Sequence, residues 1–425
     1  MRLKTVTLSV VFLLAVAAGV IARQTQSADP LVARALAIHA RAITLDTHVD
    51  IGGATYATPA LDPGAPTSPL KCDLTKMEKG GLDGAFLAVY VGQGPLNEAG
   101  YKDAWDQAMV KFEALRRLTT QMYPDRSAFA ASPDEVERIV KTGKRVIMTG
   151  VENGWPIGTD IANVKRLYDL GARYITLSHG SNNQLADSSG SPEPLNHGLS
   201  DLGRKVVVEM NRLGMMVDVS HIAEKSYWDV IETTKAPIIA SHSGCMAITV
   251  HNRNLTDDQL RALARNGGVM QTVALGTYLK TDVPGRREAI AALRAELGLP
   301  ASGGGRGNAA MTADERAALQ KKMDQLQERM KDVDAQYPPA TLKDFIDHLD
   351  HAVKIAGIDH VGIGTDFDGG GGVPGFNDDS DAPNVTIELV RRGYTEEQIV
   401  KIWGGNLLRV WREVEKVAAA IQKGK

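Results

Sequence analysis

Hydrophobic and polar positions along the chain follow two alternating periods. Short aliphatic and β-branched runs read as strands at 42–50 (AITLDTHVD), 84–91 (GAFLAVYV), 145–152 (RVIMTGVE), 173–179 (RYITLSH), 215–221 (MMVDVSH), 237–242 (PIIASH), 268–274 (GVMQTVA) and 360–366 (HVGIGTD). Between them the period lengthens to that of amphipathic helices, at 160–170, 201–213, 223–233 and 256–265. Ser132 and Glu135, in SPDE, predict a capping box with proline at the first helical position, and TEEQ at 395–398 predicts another helix start. Strands that are apolar almost throughout are buried on both faces, which calls for a parallel sheet covered by helices. Eight of them predict an α/β fold of the (β/α)8 TIM-barrel type, with an open doubly wound sheet as the alternative on pattern alone.

Two segments break the rhythm. Residues 281–341, before the last strand, begin with a charged helical stretch and pass through ASGGGRGN at 301–308. A long charged helix at 312–336 follows, ended by Pro338 and Pro339. This predicts a helical insertion within one barrel domain, 30–425, rather than a second domain. At the other end, Arg2 and Lys4 precede an apolar run at 8–21. At about 14 residues it is shorter than the roughly 20 needed to span a bilayer. The pattern is that of a signal peptide over 1–22, predicting secretion to a bacterial periplasm, with an uncleaved anchor as the rival reading. No later run is apolar for long enough to cross a membrane.

Composition narrows the classes. Of 425 residues, 43% are hydrophobic and 23% charged, enough for a large core and too apolar for a mainly disordered chain. The net charge of −3 comes without any Lys/Arg block, so nucleic acid is not an expected partner. The cysteines are Cys72 and Cys245 alone, which excludes a four-cysteine zinc site and leaves at most one disulfide.

Metal-type residues recur at the predicted strand ends, where barrel enzymes keep their chemistry. His48 and Asp50 end the first strand, Glu152 the third, His179 the fourth, His221 the fifth, His242 the sixth and Asp366 the eighth. Residues i and i+2 of a strand share a face, so His48 and Asp50 can reach one ion. Glu152 directly follows a buried run and needs a partner there, and a carboxylate can bridge two ions with its two oxygens. His221 and His242 occupy matching contexts, VDVSH and IIASH. Three histidines and two carboxylates suit zinc or another divalent transition ion, and five groups exceed one tetrahedral shell. Two ions close together would activate water for hydrolysis. No G-x-S-x-G elbow is present to support serine chemistry.

The motifs LDTHVD, GVENG, LSHGSNN, LNHGLSDLGRKVVVEMNRLGMMVDVSH, IIASHSG, HNRNL and GIDHVGIGTDFDG together resemble the membrane dipeptidase (renal dipeptidase) family, the zinc dipeptidases of the amidohydrolase superfamily. The resemblance runs from about Ala35 to about Val414. It implies two Zn2+ per chain, one on His48 and Asp50, the other on His221 and His242, with Glu152 bridging. It further implies that His179 contacts the substrate carbonyl, that Arg253 pairs with the C-terminal carboxylate of a dipeptide, and that Asp366 moves protons. Asp368, also in TDFDG, reads as a turn or supporting group. The implied activity is dipeptide hydrolysis with L- or D-residues accepted at the C-terminal position. Lactones, cyclic amides and N-acyl amino acids are the alternative substrates. The family commonly forms dimers, which leaves a homodimer open. Val49, Asn153 in place of a common glycine, and Asn252 in place of a common proline depart from the usual pattern without removing a ligand. His348, His351 and His360 read as structural, and His197 and His251 have no role assigned.

Overall fold

In a computed structural model, residues 29–300 and 313–424 can be described; the predicted signal peptide and the glycine-rich 301–308 lie outside them. Nine parallel strands form one sheet: β1 (Leu45–Asp50), β2 (Gly84–Tyr90), β3 (Ser127–Phe129), β4 (Arg145–Glu152), β5 (Ala172–Thr176), β6 (Met216–Asp218), β7 (Ile239–Ser243), β8 (Val269–Thr272) and β9 (Val361–Ile363). The order is β1-β2-β4-β5-β6-β7-β8-β9, and the short β3, which the sequence pattern did not reveal, pairs with β4 off this path. The eight strands of the path make a nearly closed (β/α)8 barrel. Closure comes from beyond β9: Asp366 N donates to His48 O at 2.9 Å, and Asp50 N donates to Phe367 O at 2.8 Å.

Several strands are shorter than their hydrophobic runs. β5 stops at Thr176, β6 at Asp218 and β9 at Ile363, so His179, His221 and Asp366 lie on the loops just beyond. Ladder pairing ends there because the backbone turns: His221 and Asp366 have φ of 68° and 61°, left-handed values that no strand tolerates. The helix at Pro133–Val140 starts as predicted, with Ser132 accepting from Glu135 N at 3.3 Å. Glu135 reaches Ala131 N rather than Ser132 N, so the box is only half formed. Thr256 and Thr395 each make the complete box, with Gln259 and Gln398.

The two faces of the strands feed different cores. In β2, Ala85, Leu87 and Val89 join the layer shared with the surrounding helices, while Phe86 joins a second cluster. That cluster takes Leu45, Met148, Tyr174, Met216, Ile239 and Val269 from the other strands and Leu407, Leu408, Trp411 and Val414 from the helix Asn406–Gln422. Trp411 lies 5.5 Å from Phe86 between ring centroids, so this helix seals the end of the barrel where the strands begin. The opposite end carries the loops. Between β8 and β9 one such loop extends into helices Arg286–Glu296 and Ala313–Gln336, which share a small core of Leu293, Leu299 and Leu326. An Arg286–Asp334 ion pair at 2.8 Å ties the hairpin at its base. Among the described residues no helix is long and apolar enough to cross a membrane.

Candidate metal centre and active site

Glu152, the last residue of β4, is the hub of the barrel's open end. Its Oε1 lies 3.0 Å from His221 Nε2, 3.6 Å from His242 Nε2 and 3.7 Å from His179 Nε2, and its Oε2 lies 3.5 Å from His48 Nε2. The Nε2 atoms of His221 and His242 face each other at 2.8 Å. Three triads have ligand atoms close enough to share one ion: His48–Glu152–His242, Glu152–His179–His221, and His48–Asp50–Asp366. All five residues expected to ligate metal are therefore brought together. Distance alone does not separate them from His179 and Asp366, which the resemblance assigns to catalysis.

The donor set fits divalent cations. Two fully buried polar atoms, His48 Nε2 and Asp50 Oδ1, have no hydrogen-bond partner. Leaving such atoms unsatisfied costs on the order of 1–3 kcal/mol each unless something else pairs with them. A side chain on Gly369 would fill the remaining space, since its Cβ would fall 2.2 Å from Asp50 Oδ2 and 2.3 Å from Asp366 Oδ1. Burial, with help from the Arg253 charge, pulls His221 and His242 well below the usual histidine range, leaving neutral imidazoles. Burial also opposes the charge on His48, but Glu152, Asp366 and Asp50 outweigh it and push His48 up to about 10. Burial raises Asp50 to about 6 and Asp366 well above the carboxylate norm. So without a cation this pocket holds protons instead.

Outer groups orient the ligands. Tyr174 donates its hydroxyl to Thr47 O at 3.2 Å, so it accepts from His48 Nδ1 at 3.0 Å and turns the bare Nε2 inward. A Cβ on Gly150 of β4 would stand 2.3 Å from the Tyr174 ring, which accounts for glycine there. Ser241 does the same for His242: it donates to Asp218 Oδ2 at 2.6 Å and accepts from His242 Nδ1 at 2.9 Å. Asp218 also accepts from the Ser220 and Ser241 amides, at 3.0 and 2.8 Å. Asp46 joins β1 to the segment before Asp366, accepting from His48 N and Thr365 N, each at 3.0 Å. Asp368 accepts from Lys71 N and Cys72 N at 2.8 and 3.0 Å, so it is the turn group expected of it.

Arg253 is 7% exposed and reaches the same end of the barrel, donating to His242 O at 3.2 Å. Its Nε has no partner, and its guanidinium stands 5.4 Å from the Tyr278 ring.

A model of the membrane dipeptidase family (peptidase family M19) matches residues 32–425. This chain belongs to that family. It is 33% identical to dipeptidase tcpJ of Claviceps purpurea over 83% of this chain and 71% of the fungal protein. It is 31% identical to an uncharacterized dipeptidase of Schizosaccharomyces pombe over 83% of this chain and 74% of that one. Among solved structures, a probable dipeptidase, PvdM, from Pseudomonas aeruginosa superposes with a TM-score of 0.77 at 32% identity, covering 91% of this chain and 99% of the other.

Some participants were not visible in the sequence. Tyr278 lies a few residues beyond β8, and its ring also meets that of His251 at 4.4 Å. His251 Nδ1 accepts from Arg253 N at 3.2 Å, which gives this unassigned histidine a place beside the site. Tyr174 and Tyr90 lie inside predicted strands, and Tyr90 faces His179 at 4.6 Å. The three tyrosines did carry a signal, since each lies in a predicted strand or just after one, but an uncharged ring there is ordinarily core. His348, His351 and His360 make structural hydrogen bonds to Leu279 O, Asp257 and Gly268 O. His197 is exposed, on a left-handed turn of the loop. Cys72 and Cys245 are buried, free thiols, not a disulfide.

Proposed function

We propose that this chain is an exported dinuclear zinc dipeptidase that hydrolyses dipeptides with an L- or D-residue at the C-terminal position. The observation that carries the reading is the convergence of His48, Asp50, Glu152, His221 and His242 around unpartnered buried polar atoms at the open end of the barrel. His48 and Asp50 would hold one ion, His221 and His242 the other, and Glu152 both. When bound, the ions would lower the pKa of water and polarise the scissile carbonyl.

The chain's own groups then divide the work. Arg253 offers a planar fork with a free Nε to the substrate's terminal carboxylate. That contact sets the register of the peptide bond over Glu152. His179, 29% exposed at its side chain, is open to an incoming carbonyl, and it stabilises negative charge developing there. Asp366, whose affinity for protons is raised by burial beside Asp50 and Glu152, accepts a proton from water and returns it to the leaving nitrogen. Export rests on the N-terminal charge and apolar pattern.

The test is a panel of L-Xaa-L-Xaa and L-Xaa-D-Xaa dipeptides against purified protein, with metal counted in the same sample. Turnover with about two zinc per chain is expected. Bound metal with turnover of lactones or N-acyl amino acids instead of dipeptides would overturn the substrate and keep the centre.

A further inference from the structure

Lys111 is a basic group near the centre that the proposed function does not use. It lies in the helix Glu98–Arg117, which follows β2. Its ammonium stands 5.5 Å from the centroid of the Tyr90 ring, and that ring packs 4.6 Å from the ring of His179. Tyr90 in turn pairs with Glu152 in the register of β2 and β4. Lys111 is half-buried and its Nζ feels the Asp50 and Glu152 carboxylates, while the described residues give it neither a hydrogen bond nor an ion pair. Lysine on a helix that has water available turns outward, as Lys102 does toward Asp106 on this same helix. An ammonium turned toward buried carboxylates beside a candidate active site, and not engaged by any fixed partner, is placed to receive charge from a ligand.

Position decides which part of a ligand it meets. Arg253 lies on the β7–β8 side, against His242 and Tyr278. Lys111 lies on the β1–β2–β4 side, beyond Tyr90. Glu152 and His179 stand between them. A dipeptide whose terminal carboxylate meets Arg253 therefore extends its N-terminal residue toward Tyr90 and Lys111.

We propose that Lys111 is a specificity-determining residue that selects dipeptides with a carboxylate side chain on the N-terminal residue. The inference rests on the dipeptidase reading above. Tyr90 supplies the apolar wall for the side-chain methylenes, and the ammonium takes the carboxylate as a charge-assisted hydrogen bond. A glutamine of the same shape makes only the weaker neutral bond.

The experiment compares kcat/KM for L-Glu-L-Ala, L-Gln-L-Ala and L-Leu-L-Ala in the wild type, Lys111→Met and Lys111→Arg. The readout is the Glu-to-Gln ratio within each protein, which cancels any general loss of folded enzyme. The wild type should favour Glu by roughly tenfold or more. The ratio should fall toward unity in Lys111→Met and recover in Lys111→Arg. A wild-type ratio near unity, or one that Lys111→Met leaves unchanged, overturns this inference while hydrolysis of L-Leu-L-Ala preserves its parent. Failure to hydrolyse any of the three overturns both.

Discussion

The two ends of the barrel are built from the same eight strands and obey different rules. Where the strands begin, Phe86, Met148, Tyr174 and Met216 close on Trp411 and Leu407 in a fully buried apolar cluster. Where they end, buried carboxylates and imidazoles crowd together, and His221, Asp366 and Asn153 hold left-handed backbone. One end gains stability from packing; the other gives some up for geometry, as functional sites tend to. Tyr174 joins them, with its ring in the lower cluster and its hydroxyl on His48.

The sharpest way to break this contrast is to remove the hub of each end. Glu152→Ala should cut dipeptide turnover by about 10³-fold or more, because several kcal/mol of charge stabilisation vanish at about 1.4 kcal/mol per decade. Trp411→Ala should do the reverse. It should destabilise by about 3–5 kcal/mol in denaturant titrations while leaving kcat per folded molecule intact. A Trp411→Ala enzyme that folds normally but turns over poorly would show that the ends are not separable.

At the link between the ends, Tyr174→Phe keeps the ring and deletes the hydroxyl that orients His48. Metal affinity should drop roughly 10- to 100-fold, read by competition with a chromogenic chelator. An unchanged affinity would mean that packing alone holds the imidazole.

Protons probe the upper end by itself. Without metal, His48 keeps its proton up to about 10, and Asp50 keeps one up to about 6. Ligation requires both groups deprotonated, so metal uptake at pH 7 to 8 should expel about one proton from His48, and below about 6 a second from Asp50. Apparent affinity should then rise about tenfold per pH unit between 7 and 9. Calorimetry in buffers of different ionisation enthalpy measures the proton count directly, and uptake with no proton released would contradict the assignment.

How much of this was legible in the sequence follows the same division. The barrel was readable because its strands are buried on both faces and its helices amphipathic, as in the helix Asp201–Leu213, whose bounds match the pattern. The ligand-type residues were readable because a charge that directly follows a buried run needs a partner at that place. The short β3 was not, since Ser127–Phe129 has too few residues to show a period. The true ends of β6 and β9 were hidden because left-handed turns at His221 and Asp366 come from tertiary contacts that no local preference announces. Tyr174 was hidden because its ring obeys the core pattern while its hydroxyl does not.

Asn153 offers the smallest and most delicate test, because two opposed effects meet at one residue. It follows Glu152 with φ of 74°, and a left-handed non-glycine residue costs on the order of 1 kcal/mol. Its side chain offsets that strain. Nδ2 donates to Val91 O at 2.9 Å and Gln93 Oε1 at 3.1 Å, while Oδ1 accepts from Asn183 Nδ2 at 2.9 Å and Trp155 N at 3.3 Å. At about 0.5–1.5 kcal/mol per bond, losing four outweighs the relief of strain. Asn153→Gly should therefore lower stability by about 1–2 kcal/mol, well below the cost at Trp411, seen as a lower denaturant midpoint at unchanged slope. Activity should fall less than tenfold, because the Glu152 carboxylate keeps its histidines while its backbone neighbour loosens. A more stable Asn153→Gly protein would show that backbone strain, not the side-chain network, dominates at this end of the barrel.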